Sequence, residues 1–334
     1  MKIVWGMVGN SHDASLAVFE TGQKGLSQLQ ATNLLWASLS KDFSGVPNDP
    51  DFNWTMLSVA RENYGEPDKV VWYERPYLKS FRQLQAGQGF LFGENNIKKY
   101  LQRWDIKCPI EYVQHHDSHA AYGYYTSGFE DASIICIDSI GEYETLTMWQ
   151  GSGNNLVKVN SQSYPHSLGL WYSSMTQRLG YVANKEEFMV SQLAKKGDPY
   201  RFRDLIMRDF FEVEHDPLCK IKFKENCHRG LNWWAPAIKE DDYFDLAAAV
   251  QYVFEDLVLR LTTSMAFNMP SKNLVVTGGC ALNKDAMDKV KPNWNAMWIP
   301  PNPGDPGSCI GAVLASEKKH IDFDSKVWYN SNWK

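Results

Sequence analysis

The pattern that most restricts the fold occurs twice: an apolar run, a short turn carrying an acid, and a second apolar run. In the first copy Ile3 to Val8 forms the strand, Gly9-Asn10-Ser11-His12-Asp13 the turn, and Leu16 to Phe19 the return. In the second, Ser133 to Ile137 leads into Asp138-Ser139-Ile140-Gly141-Glu142, and Thr145 to Trp149 begins the partner strand. A tight polar turn between two strands places backbone N–H groups and small side chains at the open end of a sheet. A chain that builds this unit twice is expected to be a duplicated α/β fold with both turns facing one cleft. With 334 residues, 44% of them apolar, it can bury a core in one large domain or in two lobes.

Between the two hairpins, Phe52 to Tyr64 and Asn96 to Trp104 read as helices, and 66–93 as loop-rich. Within 165–180, Leu168, Tyr172, Met175 and Leu179 share one helical face, which Gly180 stops. Residues 198–236 read as a polar, irregular insertion. A long helix follows from Leu246 to Ala266, packing through Val250, Val253, Phe254, Leu257, Leu261 and Met265 until Pro270 ends it. Glu255, Asp256 and Arg260 make that helix too costly for lipid, and the apolar amino terminus is soon interrupted by His12 and Asp13. No membrane span and no secretion signal are expected. The six cysteines form no CxxC pair, the usage of reduced structural thiols in a cytoplasmic protein. The Trp233-Trp234 pair either covers a loop or walls a flat or polyhydroxylated acceptor.

Two glycine-rich segments lie near the carboxyl end. In 273–287 a strand meets Gly278-Gly279 and then a helix; in 300–316 a turn containing Asp305 and Gly307 feeds an apolar helix. Such starts point helical N–H groups at a phosphate or ribose, although either alone is also ordinary turn chemistry. Four candidate cleft loops result, centred on residues 12, 140, 279 and 306. The most unusual run is Gln114-His115-His116-Asp117-Ser118-His119. On a helix His115 and His119 lie one turn apart on the same face and can converge on one ion, while His116 points elsewhere. Asp138 and Asp305 can complete a site of two imidazoles and two carboxylates, a donor set that suits iron, manganese, zinc or cobalt without choosing among them.

HDAS at 12–15, HHDSHA at 115–120, DSIGE at 138–142, PHSLGLWYSSMTQRLG at 165–180, TGGCALN at 277–283 and GDPGSCIGA at 304–312 together resemble the NodU/TobZ-type carbamoyltransferase family. The resemblance implies a Kae1-like lobe pair of the actin/Hsp70/sugar-kinase architecture. Residues 1–128 would form the first lobe and 129–334 the second, whose final helix returns to the first. It implies metal ligands at His115, His119, Asp138 and Asp305, with Fe(2+) the first choice and Mn(2+) or Zn(2+) the alternatives. It also implies that a carbamoyl-adenylate made from ATP and carbamoyl phosphate, with Mg(2+) accompanying the nucleotide, gives its carbamoyl group to an acceptor hydroxyl. His12 is the first choice for the base or for carbamoyl positioning, its bland role being to cap the hairpin turn, and Asp13 would orient it. Ser139, Gly141, Glu142, Lys185, Gly278, Gly279, Asn283 and Gly307 are the expected cofactor contacts; Glu142 and Lys185 are the weaker choices, a lysine such as Lys185 being more often solvated.

Three departures stand out. Family members usually continue into a YrdC-like domain that makes the adenylate, so activation is expected either on a separate carbamoyl-activating partner or in this one cleft. Ser139 replaces a glycine of the family turn, and Met189 stands where a lysine is expected, with Lys195, Lys196, Arg201 and Arg203 as replacement cations. The acceptor is a sugar or antibiotic hydroxyl or, by likeness to short viral relatives, 5-hydroxymethylcytosine in DNA or a nucleotide, which would place the protein in a host cytoplasm. The formal charge of -5 offers no global attraction for DNA. The basic stretches at 195–208 and 220–229 would have to supply it. A homodimer is compatible with this reading. The competing functions are an ATP-dependent phosphotransferase or ATPase and a non-catalytic nucleotide-binding subunit.

Overall fold

The computed structural model describes residues 1–11, 13–23, 30–85, 87, 89, 93–215, 217–234, 236 and 238–328. The first half runs β1 (Lys2–Val8), β2 (Ser15–Gln23), β3 (Gln30–Leu39), α1 (Lys41–Ser44), α2 (Trp54–Tyr64), β4 (Lys69–Trp72), α3 (Pro76–Gln85), α4 (Ile97–Arg103), β5 (Ile110–Tyr112) and α5 (His115–Thr126). The second runs β6 (Asp131–Ile137), β7 (Glu144–Ser152), β8 (Asn155–Ser163), α6 (Leu168–Arg178), α7 (Glu187–Ala194) and α8 (Tyr200–Phe210). It continues through β9 (Phe211–His215), β10 (Cys219–Phe223), α9 (Tyr243–Asn268), β11 (Asn273–Thr277), α10 (Lys284–Val290), β12 (Ala296–Trp298) and α11 (Ser308–Glu317).

The duplication is real at the level of topology. One five-stranded sheet has the order β3-β2-β1-β4-β5 and the other β8-β7-β6-β11-β12. In each, the first three strands are antiparallel and the last two join in parallel. This repeated mixed sheet is the actin/Hsp70/sugar-kinase arrangement. β1 and β6 are central and buried on both faces, which is why they read as continuous apolar runs. At the rim β8 alternates between exposed and half-buried residues, as an edge strand with a wet face should.

The closing helix of each half packs on the sheet of the other. α11 lies across β1, β2 and β4, and α5 lies against β6 and β11, with α5 and α11 in contact. The approach is close: a Cβ on Gly6 of β1 would fall inside the Cys309 carbonyl of α11. Gly123 of α5 likewise faces Val275 and Thr277 of β11. The starts of α5 and α11 are thereby brought to the same place, between the sheets.

Two stretches differ from expectation. The region 66–93 contains β4 and α3. β4 is four residues long, too short to show a period. α3 hides its own pattern by burying Ser80 and Arg82 while exposing Tyr77, Phe81 and Leu84. The region 198–236 contains α8 and the β9–β10 hairpin, whose inward Cys219, Ile221 and Phe223 alternate with lysines. Trp234 is buried with Phe210 beneath it, and Trp233 packs on the same ring, which leaves the pair covering this insertion. Among the described residues all six cysteines are free thiols, and no helix is long and apolar enough to cross a membrane.

Candidate metal centre and cleft

Four side chains from three segments of the chain meet where the closing helices begin. His115 opens α5, and His119 follows one turn later on the same face. Asp138 immediately follows β6, and Asp305 opens the 3-10 turn that leads into α11. His115 Nε2 lies 3.0 Å from His119 Nε2, 3.2 Å from Asp138 Oδ2 and 3.3 Å from Asp305 Oδ1. His119 Nε2 lies 3.4 Å from Asp305 Oδ1 and 3.8 Å from Asp138 Oδ2. Ligands about 2.1 Å from one ion stand about 3.0 Å apart at right angles and about 3.4 Å apart at tetrahedral angles. Four of these five spacings fall within that range and the fifth is 3.8 Å, and the four side chains form one group of donors that could hold an ion.

The electrostatics agree. Burial alone would raise Asp138, but the two imidazoles hydrogen-bonded to it hold its carboxyl well below the usual range. Asp305 is likewise lowered: burial opposes, and the charge of His115 prevails. Burial pulls His115 and His119 down, yet the two carboxylates outweigh it and favour the positive imidazolium. Such a set of lone pairs could hold a cation, whose charge would take the place of protons on the rings. Support comes from behind. Gly279 N–H donates to Asp138 Oδ1 at 3.3 Å, leaving Oδ2 for the histidines, and Ser308 Oγ lies 3.3 Å from His119 Nδ1. His116 points away, with Nδ1 2.9 Å from Thr147 Oγ1.

Asp138 and Asp305 also line a cavity of about 700 Å³ between the halves. Asp13, Ser139, Lys185, Gly279 and Asn283 line it as well. So do Lys41, Lys195, Lys284, Phe188 and Leu282. Lys41 and Lys284 escape sequence reasoning because nothing in their neighbourhood distinguishes them from surface lysines.

Several expected cofactor contacts are placed differently. Gly278 N–H donates to Pro303 O and Gly307 N–H to Gly304 O, while Gly279 N–H serves Asp138. These amides hold the cleft loops together through bonds within the protein. Gly278 has φ 85°, and a Cβ there would fall 2.3 Å from Ile137 O, so both the conformation and the space favour glycine. The Asn283 side chain caps α10 through Ala286 N–H and bonds Gln251. Gly141 lies under the His115 and His116 rings, where a Cβ would come within 2.8 and 3.0 Å of their Cδ2 atoms. Glu142 is buried outside the cavity lining, accepting from Arg75 N–H, and burial pushes its carboxyl up to about 7. His12 lies outside the described residues.

The basic stretches are largely paired. Arg201 meets Asp242 and Asp245 at 2.6 and 2.8 Å, Lys222 meets Glu214 at 2.6 Å, and Lys224 donates to Arg208 O.

Known proteins share this frame. An uncharacterised protein of Synechocystis is 30% identical over 98% of this chain and 59% of its own length. Nodulation protein NolNO of Sinorhizobium fredii is 28% identical over 61% of this chain and 31% of its own length. A tRNA N6-adenosine threonylcarbamoyltransferase of Streptococcus agalactiae is 27% identical over 66% of each. The chain thus spans 59% and 31% of the length of the first two of these relatives, less than two thirds of each. The carbamoyltransferase N-terminus family matches residues 72–314, a span that begins at the end of β4 and includes all four converging ligands. On that match the chain belongs to the carbamoyltransferase N-terminus family.

Proposed function

We propose that this chain carries the transfer site of a metal-dependent O-carbamoyltransferase. The observation that carries the reading is the convergence of two imidazoles and two carboxylates on the floor of a cleft, in a chain of this family. His115, His119, Asp138 and Asp305 would hold the ion, Fe(2+) first and Mn(2+) or Zn(2+) as alternatives. When bound, it supplies a positive charge that polarises the phosphate leaving group.

The chain's own residues do the rest. Lys41, Lys185, Lys195 and Lys284 around the cavity neutralise the phosphates of ATP or of an adenylate. Phe188 and Leu282, large apolar groups exposed at that cavity, suit a flat base. In the proposed reaction water splits carbamoyl phosphate to phosphate and carbamate, and the carbamate oxygen attacks the α-phosphorus of ATP to give carbamoyl-adenylate as pyrophosphate leaves. The acceptor oxygen then attacks the carbamoyl carbon, the bond to the adenylate oxygen breaks, and AMP leaves. His12 is the proposed acceptor of the hydroxyl proton, with Asp13, which lines the cavity, fixing the turn beside it.

The test is incubation with labelled carbamoyl phosphate, with and without ATP, against sugars, aminoglycosides, hydroxymethylated nucleosides and hydroxymethylated DNA. ATP-dependent label in an acceptor, each product gaining one carbamoyl for one hydrogen, is expected. Adding preformed carbamoyl-adenylate bypasses any activating partner. Phosphate transfer or ATP hydrolysis with no carbamoyl product in either format would replace this reading with a phosphotransferase or ATPase.

A further inference from the structure

A guanidinium is costly to bury unless an anion meets it. Arg82 of α3 is 9% exposed, yet among the described residues no carboxylate lies within ion-pair distance of it. Its hydrogen bond there runs from Nε to Glu142 O at 3.3 Å, which leaves both terminal nitrogens of the fork unused. The neighbouring buried polar groups are closed off. Glu74 holds Lys79 Nζ at 2.8 Å, and Glu142 accepts from Arg75 N–H. Ser80 Oγ donates to Pro76 O at 3.0 Å, while Asn95 Nδ2 donates to Ser80 Oγ at 2.7 Å and to Gln83 Oε1 at 2.8 Å. Burial lowers the pKa of Arg82, with Glu74 opposing, but a guanidinium keeps its charge at neutral pH.

We infer that Arg82 anchors a phosphate-binding site separate from the lysine-lined cavity. The Glu142 carbonyl orients the guanidinium through Nε without neutralising it. The free N–H groups form a planar fork that matches two oxygens of one phosphate. Arg82 does not line the cavity between the halves, but its surroundings adjoin the ligand cluster. Glu142 belongs to the turn that Asp138 opens, and Tyr73, just ahead of α3, has its ring 5.3 Å from that of His115. Phe81 and Tyr143, the chain neighbours of Arg82 and Glu142, are exposed, so the fork lies one residue in from solvent on both sides. The choice of phosphate over other anions rests on the proposed reaction. Two of its reactants can bring that group here: carbamoyl phosphate, or an acceptor that is itself phosphorylated.

Binding of inorganic phosphate is measured by titration calorimetry in wild type, Arg82→Gln and Arg82→Lys. Further arms use phosphonoacetamide, an uncleavable analogue of carbamoyl phosphate, and 5-hydroxymethyl-dCMP beside its unphosphorylated nucleoside. Arg82→Gln is expected to bind phosphate at least about tenfold more weakly. Arg82→Lys should fall between, since it keeps the charge and loses the fork. The cavity lysines are present in every variant and cancel in the comparison. Phosphonoacetamide bound more tightly than phosphate, in an Arg82-dependent way, assigns the site to the donor. An Arg82-dependent preference for the monophosphate over its nucleoside assigns it to the acceptor. Equal phosphate affinity in wild type and a folded Arg82→Gln, or no phosphate binding by wild type, overturns the site. If Arg82→Gln does not fold, Arg82→Lys decides alone, wild-type affinity counting against the site. Arg82-dependent phosphate binding without any carbamoyl product sinks the transferase reading and leaves the phosphate site, whereas transfer without such binding does the reverse.

Discussion

The two halves share a strand order, but they use corresponding places differently. The turn after β6 sends Asp138 into the ligand cluster, while the corresponding turn after β1 supplies Asp13 to the cavity wall. The start of α5 carries two imidazoles, while the approach to the corresponding α11 carries Asp305. A pseudo-symmetric scaffold has thus been loaded asymmetrically: His115, His119, Asp138 and Asp305 surround one point, and the first turn faces the open cleft. Crossed helix packing makes this workable, because each closing helix delivers its first turn to the seam between the sheets. The lesson is that duplication supplies two turns and two helix starts, and here both helix starts but only one of the turns contribute to the cluster.

The largest effect expected from breaking that asymmetry follows loss of a ligand. Asp305→Asn should weaken metal binding by more than the 10- to 100-fold, roughly, that outer partners cost, and transfer should fall with metal content. Retained metal and turnover would remove Asp305 from the cluster. Next comes the opposite turn. His12→Ala is expected to lower kcat by about 10²–10⁴-fold with metal content unchanged. Loss of metal in that variant would mean that both turns serve the ion. The scaffold itself can be probed with Gly6→Ala and Gly123→Ala, one glycine in each of the two crossed contacts. Each should destabilise by about 1–3 kcal/mol in denaturant unfolding, Gly6→Ala more, because it meets backbone where Gly123→Ala meets side chains. Equal losses would show that α11 can shift as readily as side chains can. The smallest effect is expected far from the seam. Reversing Lys222 and Lys224, already paired with Glu214 and the Arg208 carbonyl, should change affinity for hydroxymethylated DNA by less than about twofold in a salt-controlled gel shift.

Much of the frame could be read from residue order. The two strand–turn–strand units stand out because β1 and β6 are apolar throughout and end at polar turns. The long helix at Tyr243–Asn268 is visible because Val250, Val253, Phe254, Leu257, Leu261 and Met265 keep a helical period and are all buried. β4 and α3 were not legible, the first for its length and the second because tertiary packing buries an arginine and exposes aromatics. The helical spacing of His115 and His119 is likewise local, so sequence alone brings those two rings to one face.

What sequence determined, then, is the set of local units: repeated hairpins, a histidine pair one turn apart, and glycine-rich turns ahead of helices. Tertiary structure decided which hydrogen-bonding groups remain for a ligand. The amides of Gly278, Gly279 and Gly307 look like phosphate grips in a string of residues, but each finds an acceptor on a loop distant in sequence or closed by its own turn. Glu142 looks like a cofactor contact, yet it is buried and turned inward to the backbone N–H of Arg75. The physical reason is that a buried donor or acceptor must be satisfied, and its partner is chosen by proximity in space, which spacing along the chain does not record.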